Sequence, residues 1–428
     1  MATLSEDLTF RGLVHQCSDD KLLALLDTEH LSAYIGFDPS ADSLHVGSLL
    51  ALCNLRRLQL AGHRPIALIG GATGFIGDPG GRSEERNLLS PEQIAANIAA
   101  IRPQLERFLD FSDAAGASRA LVVNNADWLG AVRLVDFLRD IGKHMTVNQM
   151  VARESVRARL ERPDQGISFT EFSYMLLQGA DFLHLFETEA CRLQLGGSDQ
   201  WGNIVTGVEL IRRIHGETAY ALTSPLVLKA DGTKFGKSVG GAVWLDARRT
   251  SPFAFYQFLW RSEDAVVGAY LRYFTFLEHE EILELDAATA EAPERRRAQR
   301  RLAHEVTTLV HGADETARVE RAAQSLYTED VAGLDAATLE MALDGAPASD
   351  LPAGALGGEG IELVEVLVTS GLCASKSQAR SAIEQGGAYV NNRRVSSIAA
   401  RLTGADLLDG GYVLLRRGRR EPHLLRFR

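Results

Sequence analysis

Cysteine is scarce and scattered: Cys17, Cys53, Cys191 and Cys373 are the only four in 428 residues, and no two form a CxxC pair. That spacing argues against a disulfide framework and against a structural zinc site, and it fits a reducing cytosol. No apolar run approaches the roughly 20 residues that a bilayer-spanning helix needs. The opening Met1-Ala-Thr-Leu-Ser-Glu-Asp lacks both the basic stretch and the apolar run of a signal peptide. A cytoplasmic protein with no membrane partner is the expectation. Internal repeats are missing too. So is an excess of positive charge: a net charge of −11 argues against a protein that coats nucleic acid without selectivity.

What is present is an ordinary folding composition, 46% hydrophobic and 24% charged, on a chain long enough for about three domains. The charge is uneven. From Ile361 to the end, 11 Lys/Arg face 6 Asp/Glu, a local net of +5 that leaves −16 for the rest. A small basic module on an acidic body is what a selective RNA partner predicts.

Leu31 to Phe37 reads as a buried strand that Asp38-Pro39 stops. His45 to Ala61 then carries Leu49, Leu52, Leu55 and Leu58 at helical spacing and closes at Gly62, and Pro65 to Gly70 is a second short apolar strand. Strand, helix and strand in about forty residues make a βαβ unit, hence a parallel sheet with a right-handed crossover. The fold class expected is α/β, with a Rossmann-like catalytic domain over 1–228 and a lysine-bearing loop and connector over 229–250. An α-helical domain over 251–344 and a Gly/Ala/Pro-rich linker over 345–360 follow. A small α+β RNA-binding module over 361–428 completes the chain.

Two separated segments carry the chemistry. His45-Val-Gly-Ser48 lies where a helix begins, and unpaired amides and the helix dipole there favour phosphate. Lys229, Lys234 and Lys237 punctuate a loop that also holds Gly232, Gly236, Gly240 and Gly241. Glycines permit motion and close backbone approach, while lysines supply point charges for phosphate. Each segment alone has a plain structural reading, a helix-capping histidine and a solvated loop. Together they suit nucleotidyl transfer. Tyr174, Gln178 and Asp181 lie at i, i+4 and i+7 among apolar neighbours, so they share one enclosed helix face and need polar partners.

Longer stretches narrow the reading. They are Tyr34-Ile-Gly-Phe-Asp-Pro-Ser, Gly71-Ala-Thr-Gly-Phe-Ile-Gly-Asp-Pro, Phe169-Thr-Glu-Phe-Ser-Tyr, Gly196-Gly-Ser-Asp-Gln-Trp-Gly-Asn and Lys229-Ala-Asp-Gly-Thr-Lys-Phe-Gly-Lys-Ser. With the two signature segments, written HIGH and KMSKS in class I aminoacyl-tRNA synthetases, the whole chain resembles the bacterial tyrosyl-tRNA synthetases. The resemblance implies ATP-dependent activation of L-tyrosine to tyrosyl-adenylate, with release of pyrophosphate. Transfer to the 3′-terminal adenosine of tRNA(Tyr) follows. It implies that Tyr174, Gln178 and Asp78 hold the substrate ammonium and that Tyr34 and Asp181 hold its phenol. Gln194 and Gln200 would lie near its carboxylate and the sugar.

For ATP the resemblance implies Gly36, Asp38, Ser40, His45, Gly47, Ser48, Gly196 and Asp199 in the cleft, with Lys234, Lys237, Arg82 and Arg86 on mobile cationic loops. It also implies Mg²⁺ held mainly by the nucleotide, no tightly bound cofactor, no resident metal site and a homodimer. Its terminal module resembles an RNA-binding unit of ribosomal-protein type, with Lys376, Arg380, Arg393 and Arg394 as the basic surface. Three residues depart from the family pattern: Ser48 replaces the last His of HIGH, Gly236 the Ser of KMSKS, and Arg82 a common lysine. Three rivals stand beside this reading: a tryptophanyl synthetase, an RNA-binding protein with reduced catalysis, and a specialised paralogue.

Overall fold

A computed structural model describes residues 2–428 apart from 78–88, 154–155, 158–159, 161–165, 239–240, 326–328, 344–345 and 419–420. The chain divides into two compact units, residues 1–249 with 261–310, and residues 250–260 with 311–428.

The first unit is built on a six-stranded sheet of β1 (Gln16–Cys17), β2 (Ser32–Phe37), β3 (Arg64–Ile69), β4 (Leu121–Asn124), β5 (Cys191–Gly197) and β6 (Tyr220–Ser224). Their order is β1-β6-β5-β2-β3-β4. β1 runs antiparallel to β6, and every other pairing is parallel. From β2 the chain builds outward through β3 and β4, then returns to lay β5 on the other side of β2. This reversal opens a crevice beyond the carboxyl ends of β2 and β5, where doubly wound sheets bind ligands. The expected βαβ unit is present: Val46–Ser48 forms a 3₁₀ turn and Leu49–Leu60 the helix, whose Leu49, Leu52, Leu55 and Leu58 are buried.

The longest helix, Phe169–Glu189, begins with a capping box between Ser168 and Glu171 and stops at left-handed Ala190. It crosses the helix Trp201–His215 so closely that a Cβ on Gly207 would stand 2.7 Å from Phe182 Cβ, which is why glycine occupies that crossing. A second tie comes from two buried arginines. Arg57, on the first crossover helix, and Arg11 donate to the carbonyls of Arg272, Tyr273, Thr275 and Leu277. They thereby satisfy the open carbonyl end of the helix Asp264–Phe274.

The second unit differs from the expectation in two ways. The stretch 345–360 is not a bare linker, because Ala348–Leu351 is a strand lying parallel to Leu424–Phe427. The run Ala-Ser-Asp-Leu has too few large apolar residues to signal a strand; its partner supplies the order. The helical stretch 251–344 also divides, since 261–310 belongs with the first unit and 252–260 and 313–342 with the second. The terminal module holds the helices Leu363–Thr369 and Lys376–Glu384 and the strand Ala388–Val390. Asn391 and Asn392, both at positive φ (48° and 61°), turn that strand into Arg393–Val395 as a two-residue hairpin.

Candidate active site

The crevice beyond β2 and β5 is a cleft of about 300 Å³. Its walls include Gly36, Asp38, Ser40, His45, Gly47 and Ser48 from the first βαβ unit, and Tyr174, Gln178 and Asp181 from the long helix. Gln194, Gly196 and Gln200 come from β5 and the turn after it, and Tyr34 closes the floor. Of the residues that the sequence suggested for the amino acid and for the nucleotide, these thirteen thus line one continuous cavity, and Asp199 is not among its lining residues.

The deep end is polar and enclosed. Tyr34 is 1% exposed and its hydroxyl has no hydrogen-bond partner among the described residues. The Oε1 of Gln194 is in the same condition. Buried polar atoms without partners are rare, and here two of them border one cavity. Asp181, 2% exposed, accepts from Asn125 Nδ2 (2.9 Å) and from Trp128 Nε1 (2.8 Å). Burial raises its pKa from 3.8 to about 7, against the pull of those two donors. Burial, with Asp181 nearby, also pushes the Tyr34 phenol well above its ordinary value.

Asn125 is the hub of this end. Its Oδ1 accepts from the Ala72 amide (2.7 Å) and its Nδ2 also donates to Thr73 Oγ1 (2.9 Å), so the amide can present only N–H to Asp181. The indole of Trp128 is in turn stacked on His184 at 4.3 Å. Sequence reading missed both residues. One signal was available, since Asn124-Asn125 closes β4 at the carboxyl edge of the sheet, where ligands gather.

At the mouth, His45 caps the 3₁₀ turn: its Nδ1 accepts from the Gly47 amide at 3.0 Å. In the neutral ring this places the proton on Nε2. Gly47 is required there, because a Cβ would lie 2.6 Å from the imidazole Cε1. Ser48 follows with its amide on His45 O (2.8 Å), and its hydroxyl makes no cap bond to the helix.

The lysine loop reaches the same mouth as a hairpin, Lys237–Ser238 against Gly241–Ala242. Its return strand bonds to the histidine segment through Val46 N to Val243 O and Leu245 N to Leu44 O, both 2.9 Å. Lys234 is 54% exposed, with Nζ 3.9 Å from Asp199 Oδ2. Tyr174 donates a long bond (3.5 Å) to Asp38 Oδ1, and Asn203 donates to Gln200 Oε1 (3.2 Å). Asp78, Arg82 and Arg86 lie outside the described residues. The fold and the cleft are those of a doubly wound parallel sheet with a ligand-sized crevice at its switch point, beside an enclosed polar pocket.

Comparison with known proteins narrows this reading. A family model described as tRNA synthetases class I (W and Y) matches residues 26–328, and one described as tyrosine–tRNA ligase SYY-like C-terminal domain matches residues 344–425. The chain is 55% identical over 426 residues to a tyrosine–tRNA ligase of Roseiflexus castenholzii, covering 100% of both chains. It is 51% identical over 426 residues to that of Bacillus caldotenax, covering 99% of both. Among solved structures, a C-terminally truncated Aspergillus nidulans mitochondrial tyrosyl-tRNA synthetase superposes with a TM-score of 0.68 at 33% identity, over 76% of this chain and 95% of that one. The chain belongs to the tyrosine–tRNA ligases of class I.

Proposed function

We propose that this cleft performs both steps of tyrosine–tRNA ligation, through the residues named below. The observation that carries the reading is the unpartnered Tyr34 hydroxyl beside an Asp181 fixed by Asn125 and Trp128. A phenol hydroxyl entering there gives Tyr34 a partner and donates to Asp181. Phenylalanine would leave the Tyr34 hydroxyl unsatisfied, which costs about 1–3 kcal/mol. Tyr174, Gln178 and Asp78 hold the ammonium, while Gln194 and Gln200 face the carboxylate and the ribose.

In the first step the ionised tyrosine carboxylate attacks the ATP α-phosphate in line, the bond to the β-phosphate breaks, and pyrophosphate leaves. No side chain need act as base or nucleophile, so catalysis is positioning plus charge stabilisation. Nε2–H of His45 and the hydroxyl of Ser40 donate to the leaving phosphates. Lys234, Lys237, Arg82 and Arg86 neutralise pyrophosphate. Gly36, Gly47 and Gly196 let backbone approach the nucleotide, Asp38 and Ser48 border it, and Asp199 accepts from the ribose. Mg²⁺ enters as the ATP complex. In the second step the hydroxyl of the terminal tRNA adenosine attacks the activated carbonyl and AMP leaves. Removing one transition-state donor should cost about 3–4 kcal/mol.

tRNA(Tyr) is the RNA partner, and Lys376, Arg380, Arg393 and Arg394 supply its phosphate contacts on the terminal module. All four are exposed, and an Arg394 guanidinium bond to Gln385 O (3.2 Å) ties the hairpin to the end of the helix bearing the other two. A homodimer is supported by Leu134, Val135, Leu138, Val147 and Phe169, each at least 50% exposed, on segments whose inner sides share one apolar cluster. Such side chains need a cover, and a second copy supplies it. Four unpaired cysteines favour the cytoplasm. No helix among the described residues is long and apolar enough to cross a membrane.

ATP–pyrophosphate exchange, run separately with tyrosine, phenylalanine and tryptophan and without RNA, tests the reading. Exchange with tyrosine alone is the expected result. Exchange with none of the three would refute it.

A further inference from the structure

The return strand of the lysine loop carries an aromatic residue that the roles above leave unused. Trp244 forms an antiparallel bridge with His45 and stands edge-on to its ring, centroids 6.1 Å apart at 66°. That separation is within the range of favourable aromatic pairs. The guanidinium of Arg249 lies 4.4 Å over the indole, and its Nε forms an ion pair with Asp42 Oδ1 at 2.5 Å. Asp42 sits three residues before His45. The contacts therefore close a circuit from Asp42 through Arg249 and Trp244 to His45 and back along the chain.

We infer that Trp244, held by Arg249, is a positioning residue that orients the His45 imidazole and keeps it in register with the lysine loop. The inference rests on His45 donating to the leaving phosphates. His45 is exposed at the mouth of the cleft. The Gly47 amide fixes one edge at Nδ1, and Trp244 supplies the second constraint.

The backbone carries the same coupling. Val243 accepts from Val46 N (2.9 Å) on one side and donates to Gly236 O (3.1 Å) on the other. Gly236 itself takes φ +96°, and a Cβ there would stand 2.9 Å from Val46 Cγ2. One strand thus separates the imidazole from the lysines, and a displacement of either is felt by the other. A misplacement of about 1 Å is enough to cost roughly a hundredfold in rate.

The test is a double-mutant cycle on the full chain, measured by tyrosine-dependent ATP–pyrophosphate exchange with His45→Ala, Trp244→Leu, Trp244→Phe and the double variant Trp244→Leu/His45→Ala. Trp244→Leu should lower kcat roughly 10- to 100-fold with KM for tyrosine unchanged, since Tyr34 and Asp181 are not part of the circuit. Trp244→Phe keeps an aromatic edge and should recover kcat to within about threefold of wild type. The double variant should be no slower than His45→Ala alone. A Trp244→Leu enzyme at the wild-type rate overturns the inference. So does a loss that multiplies in the His45→Ala background, or one that raises KM for tyrosine in parallel. His45→Ala at the wild-type rate would instead refute the catalytic reading of His45 and remove the basis of the inference with it.

Discussion

Replacing Asp181 with asparagine should change how the stability of the empty enzyme depends on pH. Burial raises this carboxyl from 3.8 to about 7 in the folded protein. Between those two values the folded state keeps a proton that the unfolded chain has released. The native state binds more protons, so stability falls as pH rises through the window and is level above it. The slope is about 1.4 kcal/mol per pH unit, which makes the loss from pH 5 to pH 7 roughly 2–3 kcal/mol.

Asparagine removes the titration and adds a penalty that does not vary with pH. Asp181 accepts from both Asn125 Nδ2 and Trp128 Nε1. An amide has one oxygen, so one N–H would face another at a cost of about 1–3 kcal/mol. Urea unfolding of the two proteins at pH 5, 6, 7 and 8 reads both effects. The variant should be the less stable at pH 5, and the gap should close or reverse by pH 8. Saturating tyrosine should flatten the wild-type slope, because a phenol donating to Asp181 favours its ionised form. Parallel profiles for the two proteins would refute the argument that Asp181 is held protonated by its burial.

Tyr34→Phe removes an unpartnered buried hydroxyl; the empty enzyme should be unchanged or slightly more stable in thermal melting, while KM for tyrosine rises about tenfold. Gly47→Ala should swing the His45 ring off its amide and lower the exchange kcat by roughly a hundredfold without unfolding the protein, which circular dichroism checks. Changing Lys376, Arg380, Arg393 and Arg394 together to alanine should weaken tRNA binding and make its salt dependence shallower by about 0.7–0.9 for each phosphate no longer neutralised, with exchange unaffected. Leu134→Glu should shift the sedimentation of the enzyme toward a monomer, by placing a charge where an apolar side chain is 70% exposed in one chain.

The parts of the fold that the sequence disclosed are those specified by neighbouring residues. The first strand and helix were legible because Leu49, Leu52, Leu55 and Leu58 repeat at helical spacing and Asp38-Pro39 and Gly62 mark the ends. The strand Ala348–Leu351 was not, since its only strong determinant is a partner more than seventy residues later. The same limit hid Arg57, an arginine within an apolar helix whose purpose appears only when the carbonyls of Arg272, Tyr273 and Thr275 arrive beside it.

The active site shows the limit in a sharper form. Asp181 was recognisable as a polar residue in apolar surroundings and Tyr34 only through the family resemblance, but the sequence could not say which of them the protein satisfies by itself. The structure answers differently for each: among the described residues Asp181 has two donors, and Tyr34 has no partner. That asymmetry has a chemical consequence. Asp181, tied by one N–H group on each oxygen, is held in place whether or not substrate is present, so it cannot turn away to another partner, and it keeps acceptor capacity for a phenol. A buried hydroxyl left open is a standing destabilisation that only a hydrogen-bonding ligand relieves. Selectivity for a phenol then arises less from a strong contact with tyrosine than from the cost of leaving Tyr34 open when any other ring enters. The residues that create this condition, Asn125 and Trp128, touch Asp181 rather than the cavity floor, so they matter to specificity although a search for ligand-facing residues passes over them.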